Sequence, residues 1–536
     1  MVVPEVRPWR AAKPHVVRIA NAVRPRLARA AAAAKPRVAR LTKAVRPGPD
    51  RPSRTRNVRT WQYSAGAATA GLALAAGVVT AAGPWDANGQ RTAERDRAAA
   101  LERSGGADHG SSGTTPGAPR PAPSAAAVLA SLGGGADAVS TKKAPPGQQG
   151  QQALADVLEP LLNAPALGGT HTASVVDIGT GRRLYGSAAG KALTPASTTK
   201  IATAVAALSA LGPDHRFTTR TALEPGTGEL VLVGGGDPTL TAHRDAGGWA
   251  SLRTLATGTA EALRKRGIHE VTLSYDTTLY SGPALHRIGV NENLAPVSAL
   301  TVDEGRTNGS SSGPVTRVGD PAADAAHRFA GFLNDAGVKT SAPGPSKAGG
   351  TADTLATVSS PPLSALVERM LTNSDNDIAE ALARQTALAS GGTGSFAGGA
   401  RAVAARLEKL GLPLSGTAFH DGSGLDRDDR LTADLLTALL VKAGDPADPG
   451  LRPVLTGLPV AGFTGTLAAR YTNGAAGVVR AKTGTLTGVN TLAGTVVDKD
   501  GRLLAFAFLA SGTTNPPEAQ AALDATATAL AGCGCG

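Results

Sequence analysis

Leu193-Thr-Pro-Ala-Ser197-Thr-Thr-Lys200-Ile-Ala-Thr-Ala-Val205 is the stretch from which the fold is read. A hydroxyl and an amine three residues apart lie on one face of a helix. Pro195 stiffens the approach, and the helix is expected to start near Ser197. Ile201, Val205, Leu208 and Leu211 follow at helical spacing, which predicts a buried helix. The Ser197 oxygen then lies near a helix N-terminus, where developing negative charge is favoured. Lys200 is in reach to take its proton, provided its surroundings lower its pKa. The pattern alone is weak. A second copy, Ser140 to Lys143, falls in a Gly/Pro-rich stretch that cannot form a pocket, and reads as a chance match.

Outward from this helix the chain divides by composition. On its N-terminal side, Leu154, Val157, Leu158, Leu161 and Leu162 mark an amphipathic helix, and Ala173 to Asp177 and Arg183 to Tyr185 read as strands. From 216 to 355 strands and helices alternate: Leu230 to Val233, a helix from about Trp249 to Lys265, Glu270 to Tyr275, and a helix from Pro321 to Asn334. This predicts an inserted α/β domain. Helical character returns at Pro362, and a polar corner, Asn373-Ser-Asp-Asn376, separates two helices. The chain closes with strands at 478–485, 492–497 and 503–509 and a helix from 517 to 530. An antiparallel sheet with a helix laid on it fits that order.

Residues 1–59 are Ala/Arg/Pro-rich. The first sixty positions hold 16 Lys/Arg against Glu5 and Asp50, so the remainder of the +12 chain is near neutral. That balance gives the folded part no nucleic-acid-binding face. Residues 60–85 carry no charged side chain, with Trp61, Tyr63 and Trp85 at the ends. The segment is long enough to span a bilayer, and the basic tail predicts a cytoplasmic N-terminus. A cleaved signal sequence is the alternative, and a buried Ala-rich helix the plainer one. Residues 86–150 read as a Gly/Pro/Ser-rich linker. Cys533 and Cys535 in the terminal Gly-Cys-Gly-Cys-Gly suit a frayed tail. No His/Cys cluster has zinc-site spacing, so neither metal nor cofactor is expected. Gly392-Thr-Gly394-Ser-Phe-Ala397 matches a loose dinucleotide pattern but follows a helix rather than a strand, and reads as a helix–helix loop.

Three short motifs stand in order: Ser197-x-x-Lys200, Ser374-Asp375-Asn376 and Lys482-Thr483-Gly484. Singly they are a chance pattern, a helix cap and a strand end. Together, each in a fitting local structure, they are the motif set of penicillin-binding proteins and class A β-lactamases. The sequence resembles the D-alanyl-D-alanine carboxypeptidase/endopeptidases, the class C low-molecular-mass penicillin-binding proteins, over about Ala153 to Leu530. Gly234-Gly-Gly-Asp-Pro238, Pro296-Val-Ser-Ala-Leu-Thr301, Asp421-Gly-Ser-Gly-Leu425 and Gly465-Thr-Leu467 support it. The resemblance implies a penicillin-binding/β-lactamase-like α/β (α+β) fold, an antiparallel sheet flanked by helices, with catalytic parts at 151–215 and 356–532 around the insert.

It also implies the chemistry. The substrate class is a peptidoglycan stem peptide ending in D-Ala-D-Ala, and β-lactams are covalent inhibitors. Ser197 is the nucleophile and Lys200 the base. Ser374 relays a proton and Asn376 holds the acyl-side amide. Lys482, Thr483, Gly484 and Thr485 receive the terminal carboxylate, and Arg427 stands where similar proteins place an arginine near a side-chain carboxylate. Gly289-Val-Asn-Glu-Asn-Leu294 departs from its relatives in lacking aromatics. A β-lactamase and a catalytically silent wall-binding protein on the same fold are the alternatives.

Overall fold

The computed structural model describes residues 148–471 and 474–534. The expected basic tail and membrane segment, the linker up to residue 147, and the second S-x-x-K copy lie outside them. Among the described residues no helix is long and apolar enough to cross a membrane.

Helix α1 (Gln148–Leu162) leads into β1 (Thr170–Asp177) and β2 (Arg183–Ser187). Helix α2 (Thr199–Leu211) follows a single 3₁₀ turn, Ala196–Thr198, so regular α-helix begins two residues after Ser197. The chain then leaves the first sheet and builds a second: β3 (Thr218–Leu223), β4 (Glu229–Val233), α3 (Leu252–Lys265), β5 (Glu270–Asp276), α4 (Pro321–Asp335), β6 (Lys339–Thr340), β7 (Gly344–Pro345) and β8 (Asp353–Ser359). It returns through helices α5 (Leu363–Asn373), α6 (Asn376–Ala389), α7 (Phe396–Lys409) and α8 (Ala433–Gly444). Strands β9 (Val479–Leu486), β10 (Val489–Val497) and β11 (Leu503–Ser511) and helix α9 (Pro516–Gly532) close it.

The first sheet is five-stranded and antiparallel, in the order β2-β1-β11-β10-β9. Both faces are covered, which is why β11 reads as a continuous apolar run rather than an alternating one. Ala505, Ala507 and Leu509 face the core built on α2, α5, α6 and α8. Leu504, Phe506 and Phe508 face the core under α1 and α9, where Cys533 is also buried instead of frayed. Small residues on one face let α8 lie close, and large ones fill the other. Burying each phenylalanine stabilises the fold by about 1.5–3 kcal/mol. Helix α2 is buried from Thr199 to Leu208 on every side, as an Ala-rich helix with apolar residues all round should be.

The second sheet is six-stranded, in the order β6-β5-β4-β3-β8 with β7 on β5, and mixes parallel and antiparallel pairs over its own core with α3 and α4. Strand β8 pairs with β3 and carries this sheet past residue 355 to Ser359. The outgoing and returning chains meet side by side: Ser360 N–H donates to Phe217 O at 2.9 Å, and Phe217 N–H donates to Ser360 Oγ at 3.0 Å.

Candidate active site

The site forms where α2, the α5–α6 corner and β9 converge. Ala196, just before Ser197, has φ +49°, a left-handed conformation unusual for a residue with a Cβ. Two glycines let other segments close on that turn. A Cβ at Gly484 would come within 2.8 Å of Pro195 O, and one at Gly424 within 1.9 Å of Ala196 O. Gly484 thus brings β9 against the turn, and Thr491 Oγ1 on β10 donates to Pro195 O at 2.8 Å.

Lys200 is fully buried. Its Nζ lies 3.0 Å from Ser197 Oγ, 2.6 Å from Asn376 Oδ1 and 2.7 Å from Ser423 O. Burial pushes its pKa down to about 8, against the opposing charges of Asp421, Glu380, Asp375 and Asp377. The contact set suits a neutral amine. Asn376 Oδ1 and Ser423 O can only accept, so they take its two N–H groups and leave the lone pair facing the Ser197 hydroxyl.

The floor beneath Lys200 is the loop Asp421–Leu425. Asp421, fully buried, accepts the N–H groups of Ser423, Gly424 and Asp426, and His286 from the inserted domain meets it at 3.1 Å. Burial alone would raise its pKa, but these hydrogen bonds hold it below the usual range. Glu380 on α6 accepts from Gly422 and Ser423 N–H at 3.0 and 2.9 Å, and burial plus the Asp421 charge raise it to about 7. Asp429 is pushed up to about 10 by burial and then by Asp421.

Ser374 caps α5 in a left-handed conformation, φ +59°. Asp375 caps α6, accepting Ile378 N–H at 3.0 Å. Lys482, also fully buried, donates to Ser374 Oγ and to Thr483 O, both at 2.8 Å. Burial, then the nearby Lys200, depress its pKa well below the ordinary lysine value. Ser197, Ser374, Asn376, Thr483 and Thr485 line one cleft of about 350 Å³. Asn376 Nδ2 donates to Asn293 O of the inserted domain at 2.9 Å. The arginines on the cleft wall are Arg306 and Arg317, both from that domain. Arg427 is exposed, donates to Thr487 O at 2.7 Å and is not among the residues lining the cleft.

The motif residues are therefore gathered in one place, whereas Glu380 and Asp429 had no signal in the sequence. Glu380 sits on an amphipathic helix where a polar residue reads as solvent-facing. Asp421 belonged to a stretch that already supported the resemblance, and its burial was the missing fact. The glycine-rich decoy at 392–397 lies in the loop between α6 and α7 and runs into the first two residues of α7, at a helix–helix connection as expected.

A helix-flanked antiparallel sheet with a serine and a buried lysine paired at its edge defines the class shared by penicillin-binding proteins and serine β-lactamases. Residues 153–313 and 309–530 match the D-Ala-D-Ala carboxypeptidase 3 (S13) family, and the chain belongs to it. It is accordingly a serine-type D-Ala-D-Ala carboxypeptidase/endopeptidase of the penicillin-binding kind. It is 37% identical over 404 residues to carboxypeptidase DacB of Mycolicibacterium smegmatis, covering 72% of this chain and 85% of that protein. It is 31% identical over 462 residues to the D-alanyl-D-alanine carboxypeptidase of an Actinomadura strain, covering 70% and 84%. The crystal structure of penicillin binding protein 4 (dacB) from Haemophilus influenzae shares the fold, with TM-score 0.56 at 22% identity over 71% of this chain and 98% of that one. A second structure of that protein is a complex with a β-lactam, at TM-score 0.55 and 23% identity over 70% and 98%.

Proposed function

We propose that Ser197 attacks the carbonyl of the penultimate D-Ala and that Lys200 takes its proton. The observation that carries this reading is the Lys200 amine, buried, depressed to about 8, and 3.0 Å from Ser197 Oγ with its other two contacts spoken for. The C–O bond to Ser197 forms and the C–N bond breaks. Ser374 gives the departing amine a proton and is resupplied by Lys482 at 2.8 Å. Water then attacks the acyl-enzyme. Its proton passes to the Ser374–Lys482 pair, and Lys200 returns its own to Ser197.

The Ser197 and Thr485 N–H groups hold the oxyanion. Strand β9 is the sheet's edge, so N–H groups on its outer side are free of the ladder. Removing one such donor costs ~10²–10³ in rate. The substrate's terminal carboxylate lies against Lys482 and the Thr483 and Thr485 hydroxyls. A β-lactam acylates the same serine and, with no leaving fragment to diffuse away, remains. Incubating the protein with benzylpenicillin and following intact mass tests the assignment. A lasting adduct that is absent in Ser197→Ala is expected. Rapid turnover without an adduct, or an adduct that survives in Ser197→Ala, would overturn it.

The same reading places the enzyme outside the cytoplasm, tethered by residues 60–85. Its support is the charge-free run behind a basic tail and a substrate class found in the cell wall. Fractionation tests it: the chain stays with membranes after alkaline extraction, and deletion of 60–85 releases it. A fully soluble wild-type chain would refute the tether.

A further inference from the structure

Ser374 must hold a conformation that serine rarely adopts. Its own contacts are few: Lys482 at its hydroxyl and Met370 O at its N–H. The neighbouring Asp375 is buried and reaches across to the inserted domain. The carboxyl oxygens of Glu304, Asp375 and Asp377 lie within 4.8 Å of one another. Three arginines stand against them. Glu304 meets Arg306 Nε at 2.7 Å and Arg369 Nη2 at 2.9 Å, Arg369 also faces Asp375 at 3.8 Å, and Arg317 meets Asp377 at 2.9 Å.

Glu304 itself stands on a strained turn. Asp303, Glu304 and Gly305 have φ of +50°, +54° and +62° in succession. Left-handed residues with a Cβ persist only where the surroundings over-determine them, and they gather at functional sites. Here two such turns, one at Glu304 and one at Ser374, are joined through Asp375 and Arg369.

We propose that Glu304 is a positioning residue for Ser374, a carboxylate supplied by the inserted domain that holds the Ser374–Asp375–Asn376 corner in its working geometry. This rests on the role given above to Ser374. Burial, then the Glu304 charge, push the pKa of the Asp375 carboxyl well above its usual value. Glu304 stays ionised against the cost of its own burial, through its contacts with Asp375, Arg369 and Arg306. The two carboxyls lie close together, and Arg369 stands between them, 2.9 Å from Glu304 and 3.8 Å from Asp375. The cluster ties the first residue after Ser374 to a domain that contributes no nucleophile.

A double-mutant cycle on the full chain separates positioning from general support. The acylation rate by benzylpenicillin is measured for wild type, Glu304→Gln, Ser374→Ala and the double variant, with melting temperature as the check on folding. Glu304→Gln should slow acylation about tenfold when Ser374 is present and less than about twofold when it is absent, as for residues in one network. Equal slowing in both backgrounds, or none in either, overturns the proposal. A wild-type rate in Ser374→Ala alone sinks the role of Ser374 instead, and the inference with it. Should Glu304→Gln fail to fold, Glu304→Asp keeps the charge, withdraws the carboxylate by one methylene, and carries the same cycle.

Discussion

Lys200 and Lys482 are both fully buried and both bonded to a serine hydroxyl, yet their surroundings differ. Lys200 stands over four carboxyl groups, which offset part of the desolvation and leave it near 8. Lys482 has burial and then the like charge of Lys200 acting on it, and its pKa falls well below the ordinary value. The first lysine is poised to trade a proton at neutral pH. The second is short of negative charge, which in the proposed reaction the substrate's carboxylate would supply. One residue type therefore does two jobs, and the acids around it decide which.

Removing the base should break this comparison most severely. Lys200→Ala is expected to lower acylation by ~10²–10⁴ at every pH, read as the rate of penicillin adduct formation. Wild-type acylation should rise with pH and level off above about 8, because only the neutral amine accepts the Ser197 proton. A flat profile from pH 6 to 9 would contradict the assignment. Lys482→Ala comes next, with kcat/KM for a D-Ala-D-Ala peptide falling about 10–100-fold. A peptide amidated at its C-terminus should lose little further in that variant. If it loses as much as with wild type, Lys482 does not receive the carboxylate.

Smaller effects sharpen the picture. Glu380→Gln removes a charge that favours protonated Lys200, so the acid limb of the profile should move to lower pH by less than about one unit. Movement the other way would show that Glu380 does not act through charge. Asp429 is a stability matter. Its folded pKa of about 10 exceeds the unfolded value, so ionisation of the unfolded chain costs stability as pH rises towards 10. Asp429→Asn has no such titration. Its stability relative to wild type should therefore increase between pH 5 and pH 9 in urea unfolding, whereas a constant difference would mean Asp429 does not titrate there.

The helix after Ser197, the Ser374 corner, the Lys482 strand and the closing sheet were legible because each is written in local periodicity and capping. Helix α8 appears where no element was expected, and α7 was implied only by the helix–helix loop before it, without bounds. Helix α7 carries Gly398 and Gly399 in its first turn, which argue against helix. The structure needs them, since a Cβ on Gly399 would come within 3.0 Å of Ala383. Asp421 and Glu380 became site residues only through contacts between distant segments, which no spacing encodes. Arg427 shows the converse. Its place after Asp421-Gly-Ser-Gly-Leu425 suggested the cleft, but the direction of a loop side chain is set by its tertiary neighbour, here Thr487 O.

The paired crossing at Phe217 and Ser360 has a consequence for engineering. Because the two chain passages are hydrogen-bonded to each other, the insert is a cassette whose ends could be spliced by a short turn, leaving the parent sheet closed. The excised protein would keep Ser197, Lys200 and Lys482. It would lose Asn293 from the cleft wall, His286 from the floor and Glu304 from behind Ser374. Modularity in topology here coexists with dependence in chemistry: the graft is easy to remove and the enzyme is not easily whole without it.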